Sequence, residues 1–143
     1  MTKDNIIIAP YVCFDEAMVE ALYRSVGWTS YLRRPGLLKE AYARSLLTLA
    51  AHDGTQLVGV IRAVGDGVSI LYIQDVIVHP AYQRRGIGTR LMQEMLAAFP
   101  DVNQAVLLTD DMEQTVAFYE AAGFHRAQMA GCCAMLRLHE IYG

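Results

Sequence analysis

Between Val76 and Leu96 the sequence reads VIVHPAYQRRGIGTRLMQEML. An apolar, strand-like run stops at His79-Pro80, passes through Gln83-Arg84-Arg85-Gly86-Ile87-Gly88, and becomes an amphipathic helix. Two glycines at a strand-to-helix junction let backbone N–H groups converge on one point and remove the side chains that would block approach. The positive end of the following helix dipole adds to the pull on an anion. Arg84, Arg85 and Arg90 raise the local positive potential. The chemistry these residues suit is the holding of a phosphate or diphosphate. The same spacing also fits a plain corner with a solvated basic face. Two familiar phosphate motifs are excluded: GxxxxGK[ST] does not occur, and GxGxxG fails because Leu91 stands where the third glycine belongs.

The elements that must position this turn follow from periodicity. NIIIAPY reads as a first strand, and Asp15 caps a helix whose apolar positions Met18, Val19, Leu22, Tyr23 and Val26 recur at helical spacing until Gly27. A short second helix follows Pro35. From Ser45 to Pro80, apolar runs alternate with Asp53-Gly54 and Asp66-Gly67, dipeptides suited to tight turns, which predicts a three-strand antiparallel meander. Leu91, Met92, Met95, Leu96 and Phe99 mark a helix ended by Pro100. QAVLLT is a strand, Glu113 to Ala122 a helix stopped by Gly123, and HRAQMAGCCAMLRL supplies one long strand or two short ones with Gly131 as the bend. The order β-α-α-β-β-β-α-β-α-β predicts an α/β (α+β) fold: a mixed, mostly antiparallel central sheet with helices on both faces.

At 143 residues with 54% hydrophobic content, the chain reads as a single domain, residues 1–143, with material for one core. The start MTKDNIIIAPYVCFDEAM lacks the basic region and apolar stretch of a secretion signal, and no run approaches the length of a membrane span, so the expected setting is cytoplasmic with no membrane partner. A formal charge of −3 argues against nucleic-acid binding. Cys13, Cys132 and Cys133 have neither CxxC spacing nor a His pair beside them, and His52, His79, His125 and His139 are dispersed, so no metal is expected.

VIVHPAYQRRGIG resembles the [QR]xxGx[GA] signature, with its preceding Val-x-Pro strand end, of the GNAT superfamily of acyl-CoA-dependent N-acyltransferases. About thirty residues on, AFYEAAGF, Ala117 to Phe124, is similar to that family's fourth-helix segment ending in Gly-Phe. The resemblance implies an acetyltransferase using acetyl-CoA as co-substrate and an amine as acceptor. It assigns the coenzyme A pyrophosphate to the backbone of Arg84, Arg85, Gly86, Ile87, Gly88 and Thr89. The pantetheine would enter a splay between Asp75–His79 and Val106–Thr109 and pair with the strand at Ile77 and Val78. The amide N–H of Val78 would hold the thioester oxygen, and Tyr119 would protonate the departing thiolate. As a residue alone, Tyr119 also fits the apolar stripe of its helix.

Two departures qualify the resemblance. Many relatives carry Glu-Asp on the fourth strand where this chain has Gln74-Asp75, and Gln74 cannot accept a proton. By strand alternation Tyr72, Gln74, Val76 and Val78 share one face and Asp75 the other. Asp75 is then a base candidate, an orienting group or a structural carboxylate, while Tyr72 and Gln74 can hold a relaying water. Met112 replaces an asparagine common in relatives, and Asp111 with Gln114 has capping-box spacing. The acceptor pocket is expected around SVGWTSYLRRPG, with Trp28 and Tyr31 as aromatic walls. Cys132 and Cys133 lack the electropositive setting of a covalent relay, which favours direct transfer. A non-enzymatic acyl-CoA-binding or interaction module is the alternative. The apolar CCAMLRL could pair as an edge strand across a homodimer.

Overall fold

A computed structural model describes residues 4–139. The chain divides into two compact units, residues 1–107 and 108–143. In the first, β1 (Ile6–Pro10), β2 (Leu47–Asp53), β3 (Gln56–Gly65), β4 (Ile70–Val78) and β5 (Gln104–Leu107) form one sheet in sequential order. All pairings are antiparallel except β4 with β5. Three helices accompany them: α1 (Glu16–Ser25), α2 (Leu37–Ala43) and α3 (Ile87–Ala98).

Local chemistry explains most boundaries. Asp15 accepts the Met18 N–H at 3.1 Å as the N-cap of α1. The β3–β4 loop is organised by Asp66, whose Oδ1 accepts the N–H groups of Val68, Ser69 and Ile70. Val19, Leu22 and Tyr23 of α1 and Leu38 of α2 pack on Ala50, Leu57, Val60 and Ile77. Leu91 of α3 lies against Gly59, which alternates in face with Val60, so α3 covers the opposite side of the sheet. A Cβ added at Gly59 would stand 3.1 Å from the Ile77 carbonyl oxygen and 3.3 Å from Leu91. Glycine there lets helix and sheet close up.

Two bulges break the alternation. Arg62 pairs with Asp75 but the next residue, Ala63, pairs with Ile73, so Gln74 is the extra residue of β4. Residues opposite each other share a face. Tyr72, paired with Val64, therefore lies on the Asp75 side, and Val76, paired with Ile61, lies on the other. This corrects the face expected for Tyr72, while Val76 stands opposite Asp75 as alternation predicts. The second bulge leaves Val58 unpaired between Gly59 and Leu57.

The second unit holds α4 (Glu113–Ala121) and a short 3₁₀ turn at Ala127–Ala130. The strand expected over residues 125–138 does not form. Gly131, at φ +75°, closes a turn in which the Cys132 N–H reaches the Ala127 carbonyl at 3.0 Å, and among its described residues this unit contains no other strand to share a ladder. The expected capping box is also absent. Met112 occupies the N-cap, Asp110 accepts the Met112 N–H at 3.0 Å, and Asp111 pairs with Arg126 at 2.9 Å. Among the described residues, no helix is long and apolar enough to cross a membrane.

Gly59→Ala should destabilise the protein by about 1–3 kcal/mol, because the new methyl meets backbone and not a yielding side-chain tip; a lowered midpoint in urea unfolding at unchanged slope checks this.

Candidate active site

The centre of the site is a carboxylate buried in a sheet. Asp75 is 2% exposed and faces Arg62, 4% exposed, from the neighbouring strand. Arg62 Nε and Nη2 approach Asp75 Oδ2 at 2.9 and 2.8 Å, and the Tyr23 hydroxyl donates to the same oxygen at 2.8 Å. The Tyr31 hydroxyl donates to Oδ1 at 3.1 Å. Tyr42 and Tyr23 hydroxyls lie 2.9 Å apart; since Tyr23 gives its proton to Asp75, Tyr42 donates to Tyr23. Arg62 also donates to Ser45 Oγ at 3.2 Å and stacks over the Tyr42 ring. Four donors occupy the two oxygens of Asp75. Oδ2 carries three of them and Oδ1 one, an arrangement that fixes the carboxylate and the hydroxyls around it.

The bulge brings Gln74 to the same place. Its Nε2 donates to the Tyr31 hydroxyl at 3.0 Å. Tyr31 sits on a 3₁₀ turn, Ser30–Arg33, and with Trp28, Thr29, Arg33, Gln74 and Asp75 it borders a cavity of about 430 Å³. Tyr72 is half-buried beside the network, and burial followed by the Asp75 charge raises its phenol pKa. The expected substrate residues Trp28, Tyr31 and Gln74 thus meet around one cavity. Sequence reasoning missed Tyr23, Tyr42 and Arg62. The available signal was Arg62 itself, a charge inside the apolar strand LVGVIRAVG.

Beyond the bulge, no strand among the described residues pairs with the outer edge of β4. β5 pairs only as far as Ile73 opposite Leu107. The His79 N–H reaches Val58 of β3 at 2.8 Å, so by alternation the N–H groups of Val78 and Val76 point away from β3. Gln83 Nε2 donates to the Val78 carbonyl at 3.0 Å on that outer side. Ile77 is buried in the core. The chain then turns through His79, whose Nδ1 accepts the Ala81 N–H, and Tyr82, whose hydroxyl donates to Asp53 at 2.6 Å.

The glycine turn follows. Arg84 and Gly86 adopt left-handed φ of +65° and +78°. Gly86 caps α3, and the N–H groups of Ile87, Gly88 and Thr89 stand in its first turn, where helices have no internal acceptors. A Cβ at Gly86 would meet no atom within 4 Å, so the space over the turn is open. Arg85 stacks on Tyr82 at 5.0 Å. Arg90 does not belong to this surface: it donates to the Ile6 carbonyl at 3.1 Å and pairs with Asp4.

In the second unit Tyr119 is half-buried, edge-on to Phe118 and Phe124. Burial first, then the Asp110 charge, raises its pKa, keeping the phenol protonated at neutral pH. Cys13, Cys132 and Cys133 are exposed free thiols. Among the described residues, no group of three or more His, Cys, Asp or Glu is placed to hold a metal.

Burial also raises the phenol pKa values of Tyr23, Tyr31 and Tyr42 above 10.0. The unfolded chain releases these protons near pH 10 while the folded chain retains them, so stability is full below that pH and falls as pH rises above it. Urea unfolding at about pH 8 and about pH 11 should show this loss, and Tyr23→Phe should flatten the decline.

Comparison with known proteins places these features in a family. The sequence model of the Acetyltransferase (GNAT) family matches residues 13–124. An uncharacterized N-acetyltransferase, ycf52-like, of Prochlorococcus marinus is 35% identical over 123 residues, covering 81% of this chain and 66% of that protein. The chain spans about two thirds of the length of that relative and of its Gracilaria tenuistipitata counterpart. A GNAT family acetyltransferase protein of Streptococcus pneumoniae TIGR4 has a solved structure that is 38% identical, covers 95% of this chain and 99% of its own, and superposes with a TM-score of 0.84. A GNAT family acetyltransferase of Elizabethkingia anophelis with acetyl-CoA bound, 17% identical, shares the fold at a TM-score of 0.67 over 87% of this chain and 78% of its own. The chain belongs to the GNAT acetyltransferase family.

Proposed function

We propose that this protein is an N-acetyltransferase that moves an acetyl group from acetyl-CoA directly to a primary amine of a small molecule, peptide or protein. The observation that carries the reading is the continuity of β4: an outward-facing backbone edge at Val76–Val78 runs within ten residues into an open left-handed glycine turn at a helix N-terminus. These parts suit the two ends of one extended ligand. The turn from Arg84 to Thr89 would hold a pyrophosphate through backbone amides, and no side chain at Gly86 fills the space. On this strand Ile77 turns its backbone groups to β3 and its side chain to the core, so the outward groups of Val76 and Val78 present the edge along which a pantetheine amide can pair.

Bound acetyl-CoA supplies an activated acyl group as a thioester. The chain's own contribution begins with the Val78 N–H, a fixed dipole aimed where negative charge develops on the carbonyl oxygen. Asp75 orients Tyr31. The amine's proton leaves to water on the side of Tyr72 and Gln74, where the glutamine cannot itself take it. Tyr119, assigned by its motif, donates to the leaving sulfur, and its raised pKa keeps that proton available through neutral pH. The exposed cysteines take no covalent part.

Glutamine at position 74 and the hydrogen bonds that hold Asp75 favour one competing reading, an acyl-CoA-binding module without turnover. Thiol release from acetyl-CoA in the presence of an amine panel separates the two. Calorimetric titration with acetyl-CoA should show binding to the native protein that Gly86→Glu abolishes; Gly86→Ala, which shares the backbone strain but not the charge, should weaken it by no more than about tenfold. Tyr119→Phe should lower kcat by about 100-fold or more while leaving acetyl-CoA affinity within about twofold. Native protein that fails to bind acetyl-CoA would sink the assignment.

A further inference from the structure

The direction of the hydrogen bonds around Tyr31 is fixed from below. Asp75 is paired with Arg62 and receives Tyr23, so it offers only lone pairs, and Tyr31 gives it the one proton a phenol has. The Tyr31 oxygen then has two acceptor positions. Gln74 Nε2 fills one, leaving one open. With its nitrogen turned to Tyr31, the Gln74 amide presents Oε1 in another direction, on an exposed side chain bordering the same cavity. Both groups are left as hydrogen-bond acceptors.

We propose that Tyr31 Oη and Gln74 Oε1 together receive the two N–H bonds of a neutral primary amine, so that the cavity selects an NH₂ group over a hydroxyl or an N-methyl amine, with Asp75 as the positioning residue that sets the direction. The proposal rests on the N-acyltransferase reading and deepens it by naming the atoms that choose the acceptor. A neutral primary amine has two N–H bonds and one lone pair. Two acceptors occupy both bonds and leave the lone pair as the unused valence, free to attack; after attack the N–H on the exposed Gln74 side parts from Oε1 and gives its proton to solvent water. A hydroxyl or a neutral N-methyl amine brings a single donor, and one protein oxygen then stays unpaired against the bound molecule. Trp28, on the same cavity wall and 41% exposed, offers a flat apolar surface for the carbon skeleton that carries the amine.

The test uses the full chain with acetyl-CoA and three primary amines, benzylamine, n-butylamine and tyramine, each beside its N-methyl counterpart. The native protein should favour the primary member by about tenfold or more in kcat/KM. Tyr31→Phe, which keeps the ring, and Gln74→Leu, on an exposed side chain, should each compress that ratio to about threefold or less, mainly by raising KM. Acetyl-CoA affinity should stay within about twofold in both. A ratio retained in both variants overturns the proposal, as does a native protein indifferent to N-methylation. Loss of acetyl-CoA binding in both variants makes these residues structural and also overturns it. Acetyl-CoA binding without turnover of any of the three primary amines overturns it too, whereas failure of the native protein to bind acetyl-CoA removes the acyltransferase reading itself.

Discussion

A guanidinium and a carboxylate buried face to face between two strands set the terms for the rest of this structure. Taking Arg62 and Asp75 out of water costs several kcal/mol per ion, and their attraction repays it only with good geometry and further hydrogen bonds. The surroundings supply both. Two guanidinium nitrogens reach one carboxylate oxygen, Tyr23 adds a third donor, and Tyr31 serves the other oxygen. Removing either charge alone would strand its partner in the sheet, a loss of about 3–5 kcal/mol. The network thus ties α1, the 3₁₀ turn and two strands to one pair of ions. It also fixes Asp75 in place at the wall of the candidate acceptor cavity.

The bulge at Gln74 is the point where β4 changes task. Before it, the strand is an ordinary parallel partner of β5; after it, the outer edge of the strand is open and its buried side chains keep it fixed to β3 and the core. One extra residue therefore separates a stretch that builds the sheet from a stretch that can present backbone to a ligand. Gly59 serves the same strand from the opposite face, letting α3 approach closely enough that the turn before it stands at the strand's end.

Much of this was legible in the sequence because it is written in local chemistry. The glycine turn, the Asp15 cap, the meander and its Asp-Gly turns depend on residues within a few positions of one another. What escaped depends on partners far along the chain. A bulge leaves no mark in a strand's composition, so strict alternation put Tyr72 on the wrong face. Tyr23 fitted the apolar stripe of α1 and gave no sign of its hydroxyl's errand 52 residues away. Asp111 had the spacing of a cap, yet Arg126, fifteen residues on, holds it. The final strand was read from apolar, β-favouring composition, but a strand exists only where another offers a ladder.

The open edge of β4 has a cost for solubility. Unpaired strand backbone is a template on which a foreign chain can add, the usual route to sheet-to-sheet aggregation. Here the exposed run is short, ending at Val78, and the Gln83 side chain already occupies the Val78 carbonyl at 3.0 Å. An invading strand would have to displace that amide before it could register. Gln83 thereby acts as a gatekeeper, leaving the Val78 N–H outward-facing while denying the neighbouring acceptor to indiscriminate pairing.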